Sequence, residues 1–75
     1  MTSMTINAKN LNRKLHFTMT QNGYLWVSIN GREARQACER GQINGGVTIM
    51  TTPENFERDV RRWYRAYVRR CAEMA

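Results

Sequence analysis

Seventy-five residues carry twelve Lys and Arg against six Asp and Glu, a net charge of +6, with 41% hydrophobic content. A chain this short buries only about 60% of the surface its unfolded form exposes, which allows one small core and excludes a second domain or a deep catalytic cleft. What remains is a small basic binding or regulatory module.

Ten of the twelve cations are Arg, which suits planar, bidentate contacts to phosphate or carboxylate better than mere solubility. Charge alone leaves nucleic acid, an acidic protein face and an anionic membrane open as partners. Cys38 and Cys71 stand apart from any C-x-x-C or His cluster, the first residues lack the apolar core of a signal peptide, and no apolar run reaches the roughly 20 residues of a membrane span. A reduced, cytoplasmic protein with no membrane partner is expected.

Residues 1–12 are read as a flexible tail and 13–75 as a single α+β domain. From Leu15, LHFTMT and YLWVSI are alternating runs rich in β-branched and aromatic residues, joined by Gln21-Asn22-Gly23. A two-residue Asn-Gly turn would place Phe17 and Met19 opposite in face to Leu25, Val27 and Ile29. A three-residue loop with Gly23 left-handed pairs Thr20 with Tyr24 and puts Leu15, Phe17, Met19, Leu25, Val27 and Ile29 on one face, so that register is expected.

After Asn30-Gly31, residues 32–40 are good helix formers closed by Gly41, and they predict a short helix burying Ala34, Ala37 and Cys38, with an irregular excursion as the alternative. A loop from Gln42 to Gly46 leads to a third strand, Val47 to Met50. Thr52-Pro53-Glu54 is the strongest helix start in the chain: a capping hydroxyl, a proline pre-set for the first position, and an acid at the positive end. The long helix then runs to about Glu73. At about 100° per residue, Phe56, Val60, Trp63, Tyr64, Tyr67 and Cys71 share a broad stripe opposite Arg58, Arg61, Arg62, Arg65 and Arg69. The fold class is therefore a three-stranded antiparallel sheet packed on a long C-terminal amphipathic helix, with a short helix between the second and third strands.

Two surfaces are candidates for binding. Arg58, Arg62, Arg65 and Arg69 form a row able to track phosphates or an acidic partner. Helix spacing also offers the ion pairs Glu54 with Arg58, Glu57 with Arg61 and Asp59 with Arg62, so the row as a whole reads first as a solvated face. Arg65, Arg69 and Arg70 have no acid three or four residues before them and are the better partner ligands. The outer hairpin face collects His16, Thr18, Thr20, Tyr24, Trp26 and Ser28, where aromatics among hydroxyls suit base stacking, a protein contact or a symmetry mate. A lone His16 beside threonines is more often a surface residue than a metal ligand. With no paired carboxylates near a His, no phosphate-binding loop and no nucleophile elbow, no catalytic residue, metal or cofactor is expected, and the protein is read as no enzyme. The cysteines read as small core residues or as a pair joining the two helices.

The order of hairpin, short helix, third strand and basic helix resembles the small accessory regulators of temperate phages and prophages. NGYLWVSING followed by TTPENFERDVRRWYRAY is also similar in order to the arm-binding domain of tyrosine recombinases, which implies a sheet entering the DNA major groove; the insertion at 31–46 departs from that family. These features predict regulation of a DNA-centred process, by direct binding of nucleic acid, DNA before RNA. The alternative is an inhibitor directed at a DNA-binding protein, such as an antirepressor. Exposed apolar area in so small a domain predicts a homo-oligomer, joined through the open sheet face or the end of the helix.

Overall fold

The computed structural model describes residues 2–74; Met1 of the expected tail and Ala75 lie outside them. Five antiparallel strands lie in chain order, β1 (Ser3–Ala8), β2 (Arg13–Met19), β3 (Leu25–Ile29), β4 (Arg35–Cys38) and β5 (Gln42–Ile43), and one helix, α1 (Phe56–Met74), packs on one face of the sheet. The class is α+β as expected, with two more strands than the three-strand plan and no short helix.

The hairpin has the register that its apolar alternation demands. Leu15 faces Ile29, Phe17 faces Val27 and Met19 faces Leu25. The loop closes with the Thr20 N–H donating to Tyr24 O at 2.8 Å and the Gly23 N–H to Thr20 O at 3.0 Å, with Gly23 at φ +88°. Leu15, Phe17, Leu25 and Val27 are buried, and Met19 and Ile29 partly so, against Phe56, Val60, Trp63 and Tyr67 of α1. Phe17 meets Trp63 edge-on at 5.5 Å between ring centroids, and Trp63 stacks on Tyr67 at 4.8 Å. Both aromatic geometries are favourable beyond the area they bury.

Residues 2–12 are not a tail. Ser3-Met4-Thr5-Ile6-Asn7-Ala8 alternates polar and apolar, and β1 pairs with β2 so that Met4, Ile6 and Ala8 join the core side. A 3-10 turn, Lys9–Leu11, then reverses the chain through Asn12, left-handed at φ 55°, a conformation Asn tolerates better than most residues.

The short helix expected over 32–40 is also absent. Its second half is β4, followed by a 3-10 turn, Glu39–Gly41, and β5. Residues with good helical propensity are extended here because the sheet pairs their backbone: Trp26 faces Gln36, Ala37 faces Ile43, and the Gln36 N–H donates to Asn44 Oδ1 at 3.0 Å. Ala37 and Cys38 are buried as expected, whereas Ala34 is exposed. Cys38 and Cys71 are both free.

The third strand expected over 47–50 is a wedge between diverging strands rather than a regular ladder. Glu39 N–H donates to Val47 O at 2.9 Å and Ile49 N–H to Ala37 O at 3.0 Å on one side, while Leu25 N–H donates to Ile49 O at 2.9 Å on the other. Only the isolated bridges Cys38 with Thr48 and Tyr24 with Met50 result.

Thr52 closes the turn that leads into the helix and does not cap the helix itself, since the Asn55 N–H reaches both Thr52 O (3.1 Å) and Thr52 Oγ1 (3.3 Å). Pro53 to Asn55 form a tight turn, and the α-helix proper starts at Phe56. Its seat depends on Gly41. A Cβ there would lie 2.6 Å from the Ala66 carbonyl carbon and 2.7 Å from Tyr67 Cα, and its φ is +71°. Only glycine permits that approach of turn to helix. The Trp63 indole N–H then donates to Gln42 O at 3.2 Å, tying the same segment to the core.

Candidate nucleic-acid interface

Because α1 turns Phe56, Val60, Trp63 and Tyr67 toward the sheet, helical geometry turns Arg58, Arg62, Arg65 and Arg69 away from it. All four are exposed, and at 1.5 Å rise per residue the row is roughly 16 Å long. Of the three ion pairs suggested by spacing, only Arg61 with Glu57 forms, at 3.7 Å between exposed groups, a contact worth well under ~1 kcal/mol. Arg58 instead bends back to Asp59, its Nε and Nη2 each 3.2 Å from Oδ1.

Asp59 is buried and also accepts a 2.7 Å hydrogen bond from the Thr51 hydroxyl, while the Thr51 N–H donates to Gly23 O at 2.7 Å. That carboxylate is therefore spent on holding the 47–52 segment to helix and hairpin. Among the described residues Arg62, Arg65 and Arg69 form no ion pair.

The remaining candidates are dispersed. Arg70 is half-buried on the sheet side of α1, beside Cys71 and Met74. Nearby, the Arg13 guanidinium donates to the Tyr67 hydroxyl and lies 5.9 Å from its ring centroid. The hydrogen bond to Tyr67 raises the pKa of Arg13, and burial raises that of the Tyr67 hydroxyl, so both keep their protons at neutral pH.

His16 and Trp26 lie on the open face of the sheet, on the far side of the molecule from the arginine row. Trp63 is buried and Trp26 only partly so. The open face is a polar plane of Ser3, Thr5, Asn7, His16, Thr18, Ser28 and Gln36 in which Lys14 is the sole cation of β1 to β4. Thr5 Oγ1 and His16 Nδ1 are 2.9 Å apart, and the Thr48 hydroxyl donates to Gln36 Oε1 at 3.0 Å. A sheet face with one cation is a poor match for the groove-entering sheet that the recombinase resemblance implies.

Tyr24 sits elsewhere again, at the head of an open groove of about 1110 Å³ between the 47–50 wedge and α1. Val47 and Met50 are 67% and 65% exposed there, with Arg40, Arg58 and Arg62 along the groove. Arg40 adopts φ 63°, the one left-handed residue outside Asn and Gly among the described residues. Neither Arg40 nor this exposed apolar pair was singled out by sequence patterning, because only the docking of the Glu39–Gly41 turn on α1 brings them to the arginines.

Among the described residues no group of three or more His, Cys, Asp or Glu could hold a metal ion, and no helix is long and apolar enough to cross a membrane. Compared with protein-family models, curated proteins and solved structures, the chain matches none.

Proposed function

We propose that this chain is a small basic regulatory module that acts on a DNA-centred process by binding nucleic acid along the outward face of α1. The observation that carries this reading is the set Arg62, Arg65 and Arg69, exposed on one helix face with no carboxylate partner among the described residues. Such a row contacts phosphate oxygens, which fixes register on a backbone without reading sequence. Arg58 adds a fourth contact once it exchanges Asp59 for phosphate.

The test is fluorescence anisotropy of labelled duplex and single-stranded DNA with the wild-type chain and the triple variant Arg62→Gln, Arg65→Gln, Arg69→Gln. Loss of three phosphate contacts should weaken binding on the order of 100-fold or more near physiological salt. Equal affinity for both proteins contradicts the assignment of the face.

A second reading, an inhibitor directed at a DNA-binding protein, rests on the Tyr24, Val47 and Met50 groove. Two aliphatic side chains more than half exposed beside three guanidiniums fit an acidic segment with an apolar anchor better than they fit bases. Met50→Ser with Arg40→Gln should abolish capture of such a partner and leave DNA binding by Arg65 and Arg69 in place.

A further inference from the structure

The two edges of the sheet are built differently. β5 is two residues long and runs into Gly45-Gly46, whereas β1 is a full six-residue strand at the other end of the sheet order. Natural edges are blunted by Lys, Pro, bulges or short length, and Ser3-Met4-Thr5-Ile6-Asn7-Ala8 has none of these.

The hydrogen-bond phase of β1 follows from its neighbours. Met19 N–H donates to Thr2 O at 3.3 Å, and hydrogen-bonded pairs alternate along an antiparallel ladder, so Met4, Ile6 and Ala8 direct N–H and C=O toward β2. On the other side of β2, Asn30 N–H donates to Lys14 O and Thr20 N–H to Tyr24 O, each at 2.8 Å, which assigns the even residues of β2 to β3 and its odd residues to β1. Ser3, Thr5 and Asn7 are left aiming their backbone donors and acceptors outward.

We propose that the occupant of this edge is a second copy of the chain, paired antiparallel through β1 about a two-fold axis at Thr5. Thr5 then faces the partner's Thr5, and Ser3 faces the partner's Asn7 twice, giving three pairs that each exchange two hydrogen bonds. On the opposite face Met4 meets the partner's Ile6, also twice, covering two side chains that are half-buried in the single chain. Polar meets polar, apolar meets apolar, and no charge lies in the seam of a chain whose net charge is +6. A seam along α1 would instead stack arginine on arginine. The two-fold is perpendicular to the sheet, so both α1 helices lie on one side of a continuous sheet and both arginine rows face the same way. The contact thus lies at the sheet edge rather than at the open face or the helix end expected from sequence.

The test is sedimentation equilibrium without nucleic acid, which separates it from the function proposed above. Thr5 N–H points outward, so Thr5→Pro removes no backbone hydrogen bond within the chain, and only the exposed side-chain contact to His16, yet it removes the central pair of the seam. Thr5→Val loses only the contact to His16 and keeps the N–H. Wild type and Thr5→Val should sediment at twice the 8.8 kDa chain mass at high micromolar concentration. Thr5→Pro, and Thr5→Lys as a second edge-blocking variant, should associate about tenfold or more weakly with unchanged circular dichroism. A monomeric wild type overturns the proposal, as does undiminished dimerisation of whichever edge-blocking variant folds.

Discussion

Sheet and helix each turn a polar surface to solvent, and they differ in where their hydrogen-bonding capacity goes. On the sheet, Thr5 and His16 satisfy one another, Thr48 satisfies Gln36, and the Ser28 hydroxyl donates to Arg32 O. On the helix, Arg62, Arg65 and Arg69 have no such partner among the described residues. A surface that satisfies itself gains little from a ligand, whereas exposed guanidiniums release counterions when phosphate arrives. That contrast is the ground for proposing the helix side as the binding side, with the sheet as the frame on which the helix packs.

The largest effect should come from unseating the helix. Gly41→Ala forces a Cβ against the Ala66 and Tyr67 backbone at a left-handed position, and should cost about 3 kcal/mol or more, read as a fall in the urea midpoint. For 75 residues that is a large part of a total stability of about 4–11 kcal/mol. Gly23→Val comes next, at about 2 kcal/mol, because valine is strained at φ +88° and its Cβ would sit 3.0 Å from Thr51 O. Chemical denaturation checks both values.

Asp59→Asn sharpens the contrast from the helix side. It weakens the Thr51 contact and releases Arg58, so stability should fall by about 1 kcal/mol while DNA affinity rises several-fold. The smallest effect should come from the sheet. His16→Thr with Trp26→Thr keeps strand-forming residues on the open face and should change DNA affinity by less than about twofold, measured by anisotropy. A large loss there would move the interface to the sheet.

What the sequence revealed divides along the same physical line. The β2–β3 register, the core from Leu15 to Tyr67 and the arginine row follow from periodicity within short windows, and the structure has all three. β1 was not read: Ser3 to Ala8 alternates strictly, but Thr and Asn with only Met4 and Ile6 as apolar bulk look like a polar tail until β2 supplies the partner. Residues 32–43 were not legible as strands. Their helical propensity is overruled by pairing with β3 and with the 47–50 wedge, and by a glycine whose need is set by a helix some 25 residues later in the chain. The groove beside Arg40 depends on that same non-local docking, as does the diversion of Arg58 to a buried Asp59.

The central claim, phosphate binding by the outward face of α1, is tested most directly by the salt dependence of DNA affinity for the wild-type chain and for Arg65→Gln with Arg69→Gln. With four phosphate contacts per chain, log affinity for duplex DNA should fall against log salt with a slope of about −3.6, and the double variant should lower its magnitude by about 1.8. A flat salt response in the wild type, or one slope shared by both proteins, would contradict the claim.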